Sequence, residues 1–141
     1  MSFNNIFGVA GSALNAQMVR MNASASNMAN AGTTAGSEAE AFKAKRAIFQ
    51  TILADQQSPS EQPADGGVKV IEITTDRTPN GKIHDPGNPD ADADGFVYLS
   101  NVNEVTEMVE MMAAARSYQN NVEVVNTARQ LMLRTIEITK A

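Results

Sequence analysis

The stretch that decides the fold is Asn103–Ala141, NEVTEMVEMMAAARSYQNNVEVVNTARQLMLRTIEITKA, which contains no glycine and no proline. Along it Met108, Met111, Ala115, Tyr118, Val122, Val125, Arg129, Met132, Ile136 and Thr139 follow one another at alternating steps of three and four. That spacing predicts a helix with a heptad seam, broken only by the charge of Arg129. Glu104, Glu107 and Glu110 fill the first turns, while Arg129, Arg134 and Lys140 lie near the end, a polarity that complements the helix dipole. Asn101 and Glu104 read as a capping pair at the start. A helix of about 37 residues is roughly 55 Å long, whereas a compact globule of this chain length is only roughly 37 Å across. The expectation is an elongated subunit whose seam needs a partner helix.

The N-terminal segment offers one. Phe3, Phe7, Ala10, Leu14, Gln17, Met21, Ala25 and Met28 follow a similar spacing. The other positions are mostly Ala, Ser, Asn and Gly, and residues 1–37 carry a single charge, Arg20. Small side chains let backbones approach closely but bury little area, so this helix is marginal alone. Gly32 and Gly36 end it. Apart from Met1, the methionines lie in the terminal segments, as Met18, Met21 and Met28 and as Met108, Met111, Met112 and Met132. Such adaptable side chains suit several different neighbours.

Between the helices the chain is polar, with eleven acids and six bases over residues 38–101. Ser37 and Glu40 suit a capping box before a helix, yet Phe42, Ala44, Arg46 and Ile48 alternate as in a strand, and periodicity leaves both open. Asp55–Gly67, with Pro59, Pro63 and two terminal glycines, is a linker. Val68–Thr75 and Phe96–Leu99 read as strands, and Pro79-Asn80-Gly81 as a turn. The fold class expected is therefore mainly α with a small β-containing middle. An N-terminal heptad helix (1–33) and a C-terminal one (101–141) would form an elongated antiparallel coiled coil bracketing an extended or β segment (34–100).

Composition removes many functions. None of the 141 residues is cysteine, so thiolate metal sites, redox pairs and cysteine nucleophiles are excluded, and a lone histidine, His84, cannot build a multi-histidine metal site. A net charge of −5 opposes nucleic-acid binding. No apolar run is long enough for a membrane span, and no standard signal peptide is expected. Asp90-Ala-Asp-Ala-Asp-Gly95 matches the first half of a calcium loop, but Asn101 stands where the bidentate glutamate belongs, and Pro86 and Pro89 oppose an entering helix. A solvated acidic turn is the expectation. His84 beside Asp85 has no nucleophile or ligand cluster with it. Lys43, Lys45 and Arg46 form a basic cluster whose default is a solvated face or a salt bridge to an acidic neighbour. No catalytic residue, cofactor or metal is expected.

Ala25-Ser-Asn-Met-Ala-Asn-Ala-Gly-Thr-Thr34 resembles the signature of the axial proteins of the bacterial flagellum, with Ser26, Asn27, Ala29 and Asn30 at the motif positions. Phe42-Lys-Ala-Lys-Arg46 and Phe49 look like the segment that follows it in rod and hook proteins. Gly66–Val70, Asp85–Val97, Glu107–Val109, Arg116–Gln119 and Asn121–Thr127 are similar to proximal rod members of that family. Met28 departs from the usual Leu or Ile, Ser100 from the usual Pro, and the Gly36–Glu40 stretch lengthens the connection to Phe42. The resemblance implies a structural subunit of the basal-body proximal rod. It would be exported without a cleaved signal peptide through the flagellar type III apparatus and assembled helically in the periplasm as part of the drive shaft that passes torque to distal rod and hook. Its implied partners are copies of itself, other proximal rod proteins, the hook-basal-body adaptor, the distal rod and the rotor ring, with no nucleic acid and no direct membrane insertion. The interface would then draw on Phe3, Phe7, Leu14, Met18, Met21 and Met28 of the first helix and on Met111, Tyr118, Val122, Val125, Met132 and Ile136 of the second. Other readings are a different proximal-rod relative, a needle- or tip-like subunit of another type III-secreted coiled-coil assembly, and a metal-dependent binding module.

Overall fold

The computed structural model describes residues 3–52 and 66–140; most of the expected Asp55–Gly67 linker lies outside the described residues. Among these residues two helices, α1 (Phe3–Ala29) and α2 (Glu104–Lys140), bracket in the sequence five strands: β1 (Thr34–Ala35), β2 (Lys45–Thr51), β3 (Val68–Thr75), β4 (Lys82–His84) and β5 (Phe96–Leu99). No helix among the described residues is long and apolar enough to cross a membrane. The chain divides into two compact units, one of Met1–Val19, Ile48–Glu72 and Ala113–Ala141, the other of Arg20–Ala47 and Ile73–Met112.

In the first unit the start of the β-ribbon sits on α1 through Ser12. Its hydroxyl donates to Val9 O at 2.7 Å and accepts from Val68 N at 3.1 Å. Gly67 permits that approach, because a Cβ there would stand 3.1 Å from Ser12 Oγ. β2 and β3 pair with each other, closed at this end by Ile52 N donating to Gly67 O at 2.7 Å.

In the second unit β1, β5 and β4 form an antiparallel sheet with β5 in the centre. Its registers are Thr34↔Leu99 and Ala35↔Tyr98 on one side, and Lys82↔Tyr98, Ile83↔Val97 and His84↔Phe96 on the other. Val97 is its buried residue. The turn into β5 needs Gly95, which has φ +77° and whose missing Cβ would meet His84 Nε2 at 3.1 Å and Pro86 Cβ at 3.2 Å. Within this unit α1 and α2 run antiparallel, since Asn27 meets Glu107 while the earlier Arg20 meets the later Glu110.

The segment left open between helix and strand is a turn at Ser37–Ala41 followed by β2. The capping pair expected at α2 is displaced. Asn103 Oδ1 accepts from Thr106 N at 3.0 Å and is the N-cap, while Asn101 is occupied elsewhere. At the end of α1, Asn27 O accepts from Asn30 N at 3.0 Å and Met28 O from Ala31 N at 3.2 Å, and Asn30 Nδ2 donates to Ser26 O at 2.8 Å.

Among the described residues the buried apolar side chains are Ala10, Ala16, Ala23, Ala41, Ala44, Ala114, Ala128 and Val97, seven of them alanine. At about 0.8 kcal/mol per buried methyl-sized group, such a core stabilises little. The inward side of α2 follows Glu107, Met111, Ala114, Tyr118, Asn121, Val125 and Ala128, all buried or half-buried. It shares Met111, Tyr118 and Val125 with the heptad line read from sequence but replaces Met108 and Val122 by their smaller or polar neighbours. The fully buried positions of this line are Glu107, Ala114 and Ala128, while Met108 and Val122 are exposed.

Candidate functional site: an apolar surface and a polar junction

Two features stand out among the described residues. The first is the outer surface of the helices. On α2 Val105, Met108, Val109, Met112, Val122, Val124, Leu131, Met132, Leu133, Ile136 and Ile138 are exposed, with Ile138 at 78% and Val105 at 72%. Every described residue from Arg129 to Lys140 is exposed. Monomeric proteins rarely leave large apolar patches in water, so this surface is a candidate interaction site.

The interface residues expected from sequence divide between inside and outside. Phe7, Leu14, Met21, Met28, Met111, Tyr118 and Val125 are half-buried, while Met18, Val122, Met132 and Ile136 are exposed, at 37–46%. Phe3 opens α1, and its side chain is outside the described set. Within the first unit two apolar grooves adjoin along the helices. One, of about 300 Å³, is lined by Ile6, Val9, Ala10 and Val124 with Asn5, Gly66 and Asn121. The other, of about 400 Å³, runs from Ile6 along Val124, Thr127 and Leu131. Ile6, Val124 and Leu131 were not among the expected interface residues. Val124, Leu131 and Ile138 stand seven apart, a second helical line that the stronger 3/4 seam masked.

The second feature is a polar junction around Asn27 of the signature. Asn27 is fully buried. Its Oδ1 accepts from Lys45 N at 2.7 Å, and its Nδ2 donates to Lys45 O at 2.9 Å and to Glu107 Oε2 at 3.1 Å. Glu107 is also fully buried. Arg46 Nη1 lies 2.7 Å from its other oxygen, Oε1, without the alignment of a hydrogen bond, so charge holds that contact. Arg20 and Glu110 form a second, half-exposed ion pair.

Two more asparagines hold the chain entering β2. Asn101 Oδ1 accepts from Ala44 N at 2.7 Å while its Nδ2 donates to Thr78 O at 2.9 Å. Asn80 Nδ2 donates to Phe42 O at 3.0 Å and Leu99 O at 2.7 Å. With Asp76 N donating to Ala44 O at 2.7 Å, these side chains supply the backbone partners that a helix over 42–45 would have made internally. Side-chain amides therefore decide the strand.

The remaining candidates have structural partners. Asp92 Oδ1 accepts from Asp94 N at 2.9 Å and Phe96 N at 2.8 Å, and Asp90 Oδ2 from Thr34 Oγ1 at 2.9 Å. Among the described residues no group of three or more acidic or histidine side chains converges as a metal site would require. His84 packs edge-on against Phe96 at 5.0 Å, and Lys82 Nζ lies 4.9 Å from the same ring. The basic cluster disperses: Lys43 pairs with Glu38 at 3.7 Å, Arg46 with Glu107, and Lys45 lies 5.9 Å from the Phe42 ring. Asp76 is held below its ordinary carboxylate range, first by the Thr78 hydroxyl and then by the Thr78 amide, both donating to Oδ1.

Comparison with known proteins fits a structural surface. A family profile described as flagellar basal body rod FlgEFG protein C-terminal matches residues 93–138. The flagellar basal-body rod protein FlgC of Salmonella typhimurium is 45% identical over 138 residues, covering 98% of each chain. That of Yersinia enterocolitica is 46% identical over the same coverage. That of Bacillus subtilis is 36% identical over 143 residues, covering 94% of this chain and 95% of its own.

Proposed function

The chain belongs to the flagellar basal-body rod protein FlgC family, and from that premise we propose how it serves as a structural subunit of the rod. Copies assemble helically in the proximal rod through the outer faces of α1 and α2, and the rod so built carries torque from the rotor ring to the distal rod and hook. The observation that carries this reading is the inverted distribution of apolar residues. Among the described residues the buried apolar side chains are alanines and Val97, while valine, leucine, isoleucine and methionine side chains of α2 are exposed. A subunit of this kind is stabilised mainly by its neighbours. The half-buried residues Phe7, Leu14, Met21, Tyr118 and Val125 complete the interface from within an antiparallel helical coiled coil.

Other proximal rod proteins, the hook-basal-body adaptor and the distal rod are the neighbours in this account. The chain reaches its periplasmic position unfolded, through the flagellar type III export apparatus, and performs no reaction. A motility assay tests the proposal: expressed in a strain lacking its own FlgC, the chain should restore rods and swimming. Secretion of the intact chain without rod completion would contradict it.

A further inference from the structure

We infer that Asn80 is a latent modification site: its side-chain amide deamidates through the Gly81 nitrogen when the second unit is open, and the folded unit prevents it. Asn80 is the only asparagine in the chain followed by glycine. Glycine has no Cβ to crowd its own nitrogen, so that nitrogen reaches the preceding side chain more easily than in any other residue. In the reaction the Gly81 nitrogen bonds to Asn80 Cγ and the Cγ–Nδ2 bond breaks. The amide leaves as ammonia, carrying the Gly81 proton. Water then opens the cyclic imide at one carbonyl or the other, giving aspartate or its β-linked isomer.

The fold opposes the attack at both ends of the amide. Nδ2, the leaving group, uses both of its N–H donors, on Phe42 O at 3.0 Å and on Leu99 O at 2.7 Å. Oδ1 must take up negative charge as Cγ is attacked. It is buried with no hydrogen-bond partner among the described residues, so that charge would go unstabilised. The Gly81 carbonyl accepts from Leu99 N at 2.8 Å, which holds the glycine against β5. All of these residues lie in the second unit. Protection is thus a property of its folded state, and conversion follows the fraction of time that unit is open.

The product cannot re-form the junction. A carboxylate at position 80 has no proton to give to the Phe42 and Leu99 carbonyls and would face both as an anion. The β-linked isomer also lengthens the main chain by a methylene just before β4, against the pairing of Lys82 with Tyr98. The folded chain is preserved, and a chain left open ages out of the fold.

The test compares the full chain in native buffer with the same chain in guanidinium chloride, both at mildly alkaline pH, by peptide mass spectrometry across Asn80. Asn80 should convert fastest of the asparagines in the denatured chain, and about tenfold or more slowly in the folded one. Equal rates would overturn the inference. Gly81→Ala, whose Cβ meets nothing within 4 Å, should fold like the parent and lose the fast conversion in denaturant. Unchanged conversion there would remove Gly81 as the attacking group and overturn it as well. Parent aged in denaturant and returned to native buffer should show a lower urea midpoint than parent denatured briefly, or fail to refold. Gly81→Ala aged alongside should keep its midpoint. A parent-like midpoint in a fully converted sample, or equal losses in the two chains, would overturn the link from this amide to the fold.

Discussion

Asn27 and Glu107 stand 80 residues apart in the chain and meet, fully buried, with Nδ2 of the first 3.1 Å from Oε2 of the second. Removing the amide strands three partners at once: the Lys45 N–H, the Lys45 carbonyl and one carboxylate oxygen. Asn27→Ala should therefore destabilise the subunit by about 2–4 kcal/mol, the scale of several buried polar groups left unmade. Asn30→Ala removes one partly buried bond at a helix end and should cost about 1 kcal/mol. Urea unfolding of the two variants checks the ordering.

The acidic turn separates a working carboxylate from a spare one. Asp92 accepts two amide protons, from Asp94 and Phe96. Asp92→Ala should cost about 1–2 kcal/mol, more than a merely solvated turn would imply. Asp94→Ala should stay within about 0.5 kcal/mol. A calorimetric calcium titration of the parent should show no micromolar binding, because the carboxylates are turned to the chain's own donors and the twelfth loop position is Asn101.

Asp76 gives a pH signature. Its folded pKa lies below the ordinary 3.8, so the stability it contributes is present above that value and is lost as pH falls through the lower folded value. The largest cause is the Thr78 hydroxyl. Thr78→Val should raise the Asp76 pKa toward 3.8, read by carbon-detected titration of the carboxyl group, and should make this acid loss smaller and complete it at higher pH.

Val122 and Glu123 are adjacent on α2, and both are exposed in the subunit. Val122→Asp should leave the free subunit's stability within about 0.5 kcal/mol, yet it places a carboxylate on the surface assigned to neighbours, where burial without a partner is costly. Glu123→Asp keeps its charge. Both variants should be secreted, and only Val122→Asp should fail to complete rods and swim. Normal swimming by Val122→Asp would remove this position from the interface.

The two long helices are legible in the sequence because an apolar spacing sustained over many turns outweighs single interruptions such as Gln17 and Arg129. Val68–Thr75 and Phe96–Leu99 are legible from their β-branched and aromatic residues. β1 and β4 are not: two and three residues long, with Lys82 and His84 in the latter, they exist only because β5 lies between them to be paired. The choice of strand at Lys45 rests on amides of Asn27, Asn80 and Asn101, which come from 18 to 57 residues away, and no local period records such contacts. The signature asparagine was visible as a motif but not as a junction, for the same reason. The inward side of α2 is offset from the heptad line because hydrophobic patterning favours the largest side chains, whereas the fully buried positions of this helix are Glu107, Ala114 and Ala128.

The central claim is that the apolar face of α2 left open in the subunit is closed by neighbours in the rod. Cysteine substitution tests it directly, since the chain supplies no competing thiol. Met112→Cys and Leu131→Cys, at positions 65% and 52% exposed, are to be labelled with a maleimide in the secreted subunit and in purified basal bodies from swimming cells. Both positions should label rapidly in the free subunit and be strongly protected in the basal body. Equal labelling rates in the two states would contradict it.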